Sequence, residues 1–223
     1  GDWSSDVCSS DLFKVELPTT LEIILLLFIF CAEILGETQS FYLRFPMWDT
    51  VLHTLNGFIA AAIGFSLVDL MNRDPRIHFQ MSPLFVAIVA FCFSMTIGVI
   101  WEFFEFFMDR FAGLDMQKDT IIHGFTSVAL DPTRQNIPIA VENIHDVIIN
   151  GRSLGVGGYI DIGLFDTMND LLVNFAGALL FSIFGYFYVK NRGKGSFVKR
   201  FIPRRKDKNR DYKELLLRKQ QEE

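Results

Sequence analysis

Four apolar runs dominate the chain: Leu21–Leu35, Leu52–Val68, Pro83–Met108 and Leu171–Val189. In hydrocarbon a segment of this kind must satisfy its own backbone N–H and C=O groups, which leaves it the helix. The third run spans residues 83–108, about 39 Å at 1.5 Å per residue, long enough to cross a bilayer with tilt. The first two are shorter and depend on flanking residues to reach the interfaces. Composition agrees, with 50% hydrophobic residues and 24 Phe, which soluble domains rarely place in uninterrupted runs. The expected fold class is all-α: a polytopic membrane helix bundle with spanning helices near 19–36, 49–71, 83–108 and 166–189.

Charge is distributed unevenly. Residues 190–223 hold 13 of the 21 Lys+Arg and 5 of the 26 Asp+Glu. A basic tail on a membrane domain is an orientation signal and a contact for anionic lipids before it is a nucleic-acid arm, so no nucleic-acid partner is expected. The rule that cationic loops stay inside puts the tail 190–223 in the cytoplasm. It also puts the loop Asn72-Arg73-Asp74-Pro75-Arg76 inside, and Gly36–Trp48 and the connection 110–165 outside. The expected location is the bacterial cytoplasmic (inner) membrane, multi-pass.

Residues 1–12, with Asp2–Leu12 reading DWSSDVCSSDL, resemble a translated sequencing adapter. They are expected to be non-native, the natural chain beginning further upstream with further helices. Cys31 and Cys92 lie in apolar runs and imply no disulfide framework. The connection 110–165 is too long for an ordinary loop. Within it Asp119–Leu130 and Ile139–Asn150 could form short helices, and Gly151–Gly158 reads as a flexible turn. The tail from Asn209 to Glu223 would be a surface helix or disordered.

Polar residues cluster at one end of three of the spans. At about 100° per residue, Asp49, His53, Asn56, Ala60 and Gly64 share one stripe of their helix, as do Ser94, Gly98, Glu102, Glu105 and Asp109. Asp166, Asp170, Asn174, Gly177, Phe181 and Gly185 form the third stripe. Small residues let membrane helices approach closely, so the stripes can meet at a common axis and open into a polar pocket at the outer surface. Ionisable groups inside a membrane are costly and mark function by default. Simpler roles exist for several. Asp49 and Asp166 stand where acidic N-caps are ordinary. Glu102 and Glu105 need a shared proton, a cation or a basic partner. His53 can be a satisfied interior side chain, and Trp48, Trp101 and Tyr42 interfacial anchors.

Three motifs carry a resemblance. Phe45-Pro46-Met47-Trp48-Asp49 with His53 and Gly57, Trp101-Glu102-x-x-Glu105, and Asp161-x-Gly163 with Asp166-Thr167-x-x-Asp170-x-x-x-Asn174-x-x-Gly177-Ala178 together resemble the YjdF-like family of bacterial inner-membrane proteins. The match covers most of residues 17–189. That family has no settled activity, so the resemblance implies fold and location rather than a reaction. A more distant similarity is to VanZ-like membrane proteins, carried by Asp49, His53, Glu102, Asp170 and Asn174, and it implies chemistry on lipid head groups. CDP-alcohol phosphotransferases share only the Asp166-x-x-x-Asp170 pair, and their preceding Asp-Gly-x-x-Ala-Arg sequence is missing here.

Three functions follow as expectations. The first is a membrane-embedded transferase or hydrolase of lipid or lipid-linked head groups, with membrane lipids as partners. His53 would be general base or nucleophile, Glu102 and Glu105 acid/base groups or cation ligands, Asp166 and Asp170 holders of a divalent cation such as magnesium, and Asn174 a positioning group. Oxygen donors suit magnesium, calcium or manganese better than zinc. The second is a small transporter or ion-binding protein. Its path would need polar groups on the inner half, supplied by Glu22 and Glu33, a homo-oligomer or upstream helices. The third is a non-catalytic membrane scaffold.

Overall fold

The computed structural model describes residues 15–16, 18–72, 81–191, 193–194, 196–202 and 204–205. The adapter-like segment 1–12, the arginines of the loop 73–76 and the tail helix expected over 209–223 lie outside the described residues. Four helices are long and apolar enough to cross a membrane: Thr19–Thr38, Trp48–Asn72, Pro83–Ala112 and Leu164–Lys190. Each expected span is present. The chain divides into two compact units, residues 1–98 with 173–223, and residues 99–172.

In the first unit, β1 (Val15–Glu16) precedes α1 (Thr19–Ile29), which continues as a π-helix over Phe30–Thr38. A short α2 (Phe41–Arg44) leads into α3 (Trp48–Asn72). The Asn72 amide then bridges to Met81, accepting from its N–H at 2.8 Å and donating to its C=O at 3.3 Å. Helix α4 (Pro83–Phe107) starts on Ser82, whose Oγ accepts from Phe85 N at 3.3 Å. Pro83 at the first helical position loses no bond, because that N–H has no intrahelical partner. The last helix of the bundle, α5 (Leu164–Lys190), runs unbroken through the third polar stripe.

Small residues mark the close helix approaches, at Gly64, Gly177 and Gly185 on the expected stripes and at Gly57 beside one. A Cβ on Gly57 would run into the backbone of Asn174, and one on Gly177 into the Thr54 carbonyl. Glycine is therefore required at both positions for α3 and α5 to touch through backbone. Gly64 faces the Phe93 ring and Gly185 the Phe65 ring. Ser94 on α4 donates its hydroxyl to Gly57 O at 2.7 Å, buried. Ala61, Ala62, Phe65, Ala90, Ala178 and Phe181 fill the core between these contacts. Between α1 and α3 lies an apolar cavity of about 240 Å³, lined by Phe28, Cys31, Trp48, Leu52 and neighbours.

Beyond α5 the chain turns back. Helix α6 (Ser196–Lys199) and the residues after it bury Val198, Phe201 and Ile202 against the bundle, and β8 (Arg204–Arg205) pairs antiparallel with β1. The start of the expected cytoplasmic tail is thus part of the packed unit.

The second unit corrects two expectations. After α4 passes through a π-turn, Met108–Ala112, the stretches 119–130 and 139–150 form paired strands and a single 3₁₀ turn rather than short helices. β2 (Ile121–Ile122) pairs with β7 (Tyr159–Ile160), β3 (Phe125–Ser127) with β4 (Ile139–Val141), and β5 (Ile148–Ile149) with β6 (Arg152–Ser153), all antiparallel. The fold is mostly helical but not all-α. The physical reason lies in the β-branched residues, Ile121, Ile122, Ile139, Val141, Ile148 and Ile149, which lose side-chain freedom in a helix and fit a strand. Asn150-Gly151, with φ of 52° and 80°, closes the β5–β6 hairpin. That dipeptide is a strong hairpin signal, stronger than the glycine-rich turn read after it.

Candidate functional site

The eight candidate residues lie on α3, on α4 with its π-turn, and on α5. Within the second unit, Glu102 and Glu105 on α4 and Asp170 on α5 each offer a carboxylate oxygen, and these oxygens lie within 4.8 Å of one another. All three side chains are buried, at 5%, 7% and 3% exposure. The i, i+3 spacing of the two glutamates puts them on one helical face. Trp101 donates its indole N–H to Glu105 at 2.8 Å, fixing one carboxylate oxygen. Trp101, expected as an interfacial anchor, is thus also a hydrogen-bond donor to a buried carboxylate. An indole at i−4 of a carboxylate on one helix also has the reach for a hydrogen bond, and that spacing is the signal that could have found it. Carboxylates this close in a buried site raise the cost of one another's charge. Oxygen donors alone match a hard divalent cation.

In the first unit, His53 stands 3.6 Å from Asp49, one turn earlier on α3. Asn56 donates to Asn174 Oδ1 at 3.2 Å. Asn174 is 1% exposed, and a Cβ on Gly98 would sit 2.7 Å from its Nδ2. Its Nδ2 also approaches Met95 Sδ at 3.6 Å. Asn174 is thus locked where α3, α4 and α5 converge, its amide fixed from two sides.

Asp109 and Asp166 have a different occupation. Asp109 accepts from the backbone N–H of Met116 at 2.5 Å and Gln117 at 2.8 Å. Asp166 accepts from Lys118 N at 2.7 Å. The same strap is held by Asp161, which accepts from Thr120 N at 2.8 Å, and by Thr167, which receives the Gln117 side-chain N–H at 2.5 Å. Asp161 further accepts from Gly163 N and Phe165 N, fixing the entry to α5. Burial alone would raise the Asp161 pKa, but the backbone donors of Thr120, Phe165 and Gly163 outweigh it and hold the carboxyl below its ordinary value. Asp119, in the same strap, is pushed up by burial and by the charges of Asp115, Asp161 and Asp109. Residues 115–120 are therefore clamped between the end of α4 and the start of α5, and the Asp-x-Gly-x-x-Asp-Thr motif is largely the clamp.

Further polar groups are buried in the second halves of α3 and α5. Ser66, Asp69 and Ser182 are buried in the first unit. Ser66 donates to Ala62 O at 2.7 Å and to Phe201 O at 3.0 Å. The Ser182 hydroxyl has no hydrogen-bond partner among the described residues. Ser66 and Asp69 are three apart on α3, a spacing that shares one face and was readable.

Residues 8–191 match the family described as "Predicted membrane protein (DUF2238)", and the chain belongs to it. This is the YjdF family of the resemblance above. The match begins at residue 8, inside the adapter-like segment. An "Uncharacterized protein" of Thermotoga maritima is 24% identical over 95 residues, 43% of this chain and 47% of the relative. The chain thus spans about half the length of the curated relative it matches. No solved structure matches. This is a membrane protein with four candidate spans.

Proposed function

We propose that this membrane protein binds a divalent cation through Glu102, Glu105 and Asp170 and uses it on the head group of a lipid or lipid-linked substrate at the outer leaflet. The observation that carries the reading is the convergence of three buried carboxylates with ligand oxygens within 4.8 Å. A magnesium, calcium or manganese ion would balance their charge and polarise a phosphoryl or carbonyl oxygen. Trp101 would orient Glu105 for that ion, as outer hydrogen bonds commonly orient metal ligands. His53, with Asp49 one turn away, is the proton acceptor in this reading. That last assignment rests on the VanZ-like resemblance and on the Asp49–His53 pair.

The test is manganese binding to the purified full-length chain in detergent, followed by electron paramagnetic resonance, with lipid extracts profiled by mass spectrometry in parallel. One ion per chain is expected, lost in Asp170→Asn and in Glu102→Gln, together with a lipid species that changes only when the intact protein is expressed. Unchanged stoichiometry in both variants would remove the cation site. Intact binding with identical lipid profiles would remove the enzyme.

A second reading, a proton or cation transporter, draws on Ser66, Asp69 and Ser182. A through-path needs polar groups along its whole length, and these three are buried in the halves of α3 and α5 away from the carboxylates at the other ends. Proton or cation flux in proteoliposomes, abolished by Asp69→Asn, is the outcome that favours it. Flux that is absent, or unaffected by that change, excludes it.

A further inference from the structure

The chain after α5 is a hairpin pinned into the bundle by aromatic side chains. Phe201 packs edge-to-face against Phe58 and Phe181, with ring centroids 5.7 and 5.6 Å apart, and Phe197 likewise against Phe184 at 5.4 Å. Phe181 lies nine residues before the end of α5 at Lys190, so the hairpin reaches back roughly 13 Å along the helix. Such backbone is tolerated at that depth only where protein satisfies it. Here the Ser66 hydroxyl, buried on α3, donates to the Phe201 carbonyl at 3.0 Å. The pairing of Val15–Glu16 with Arg204–Arg205 ties down the far end.

Pinning fixes charge. Between Lys190 and Arg205 the chain has Lys190, Arg192, Lys194, Lys199, Arg200, Arg204 and Arg205 and no acidic residue. On the hairpin itself Val198, Phe201 and Ile202 point inward, while Lys199 and Arg200 between them are exposed. Lys190 lies 5.5 Å from the Tyr186 ring, at the end of the spanning helix. Aromatic anchors therefore hold cations at the level where a spanning helix leaves hydrocarbon. A flexible basic tail attracts an anionic surface diffusely. Cations held at fixed spacing beside a helix end can select a head group.

We propose that this hairpin is a binding site for anionic phospholipid head groups, with Lys199 and Arg200 as its principal contacts and Phe201 as the residue that positions them. The site is independent of the carboxylate group on α4 and α5, and its ligand is a resident lipid rather than a substrate. Its expected leaflet is the cytoplasmic one, where basic segments remain.

The experiment uses the full-length chain in nanodiscs or micelles, titrated with phosphatidylglycerol or phosphatidylcholine and read by native mass spectrometry. The expected result is a clear preference for phosphatidylglycerol that weakens as salt is raised. Lys199→Gln/Arg200→Gln should lower phosphatidylglycerol affinity roughly tenfold or more. Lys213→Gln/Arg218→Gln, which removes the same charge from the distal tail, should leave it nearly unchanged. Phe201→Ala keeps every charge and should also lose the preference, with helix content by circular dichroism showing that the bundle persists. If the hairpin and distal pairs weaken binding equally, the attraction is diffuse and the site does not exist. If neither pair matters, or phosphatidylcholine binds as well, the proposal fails outright. Should Phe201→Ala unfold the protein, the comparison of the two charge pairs still decides.

Discussion

Gly177→Ala tests the helix packing on which every placement in the bundle rests. A methyl group there would meet the Thr54 carbonyl oxygen and lie 2.9 Å from Phe58 N, where ordinary contact begins at 3.4 Å. Both obstacles are backbone atoms, so no side chain can rotate away and α3 and α5 must separate. Overpacking of this kind costs about 1–3 kcal/mol, and separation also loosens the dispersion contacts of Ala60, Ala178 and Phe181 nearby. Against this stands the better helix propensity of alanine, worth about 1 kcal/mol over glycine. With the lost dispersion contacts added, the net expectation is a loss of up to roughly 2 kcal/mol. Reversible unfolding in mixed micelles at increasing SDS, followed by tryptophan fluorescence, measures it. Leu180→Ala, at an exposed position on the same helix, controls for general sensitivity to truncation. Gly57→Ala should behave like Gly177→Ala because its methyl meets the Asn174 backbone. The double variant should cost less than the sum, since one separation relieves both clashes. A Gly177→Ala protein as stable as its parent, or more so, would mean that α3 and α5 do not touch through backbone and that the stripe is misread.

Further expectations concern single contacts. Ser94→Ala removes the buried bond to Gly57 O and should cost about 1 kcal/mol in the same unfolding assay, with no loss refuting the bond. Trp101→Phe keeps a ring but removes the N–H that Glu105 accepts, and should weaken manganese binding roughly tenfold at unchanged stoichiometry; equal affinity would show that Trp101 does not orient the ligand. Asp131 accepts from Thr133, Gln135 and Ile137, and these bonds, the Thr133 hydroxyl first, hold its pKa down to about 2 from 3.8. Because the folded value is the lower one, the turn gains stability at pH above 3.8, and that gain disappears as pH falls through about 2. Carbon NMR of the Asp131 carboxyl should show the low midpoint, and Thr133→Ala should move it upward; a midpoint at the ordinary value would refute the turn.

Much of the bundle was legible because membrane helices are specified locally. Length, hydropathy and the 3.6-residue period fixed the spans Trp48–Asn72 and Leu164–Lys190 to within about two residues. Gly64, Gly98, Gly177 and Gly185 lie on the expected stripes, whereas Gly57, which meets the Asn174 backbone, lies beside its stripe. The second unit was less legible because its strands are two or three residues long, too short for an alternating pattern to form. Ile148–Ile149 and Arg152–Ser153 pair only because Asn150-Gly151 turns the chain between them. The hairpin after α5 was hidden for another reason. Its charges, read together, describe a solvated tail, and only the three-dimensional position of Phe58 and Phe181 explains why Phe201 turns inward.

The acidic residues show where sequence spacing stops deciding. Asp109, Asp161, Asp166 and Asp170 look alike in the chain, and three of them lie on the predicted stripes. What separates them is the supply of backbone donors. Asp109, Asp161 and Asp166 stand beside a strap whose N–H groups, at residues 116–118 and 120, have no strand partner and point toward the helix ends. A carboxylate there satisfies a backbone that would otherwise be left unpaired, and its charge is met by those dipoles. Asp170 begins one turn deeper, where α5 already satisfies its own backbone and no strap runs. Its carboxylate brings an oxygen within 4.8 Å of carboxylate oxygens of Glu102 and Glu105 instead. Depth relative to the helix start, rather than residue type or period, divides the acidic residues that hold the strap from Asp170, which does not.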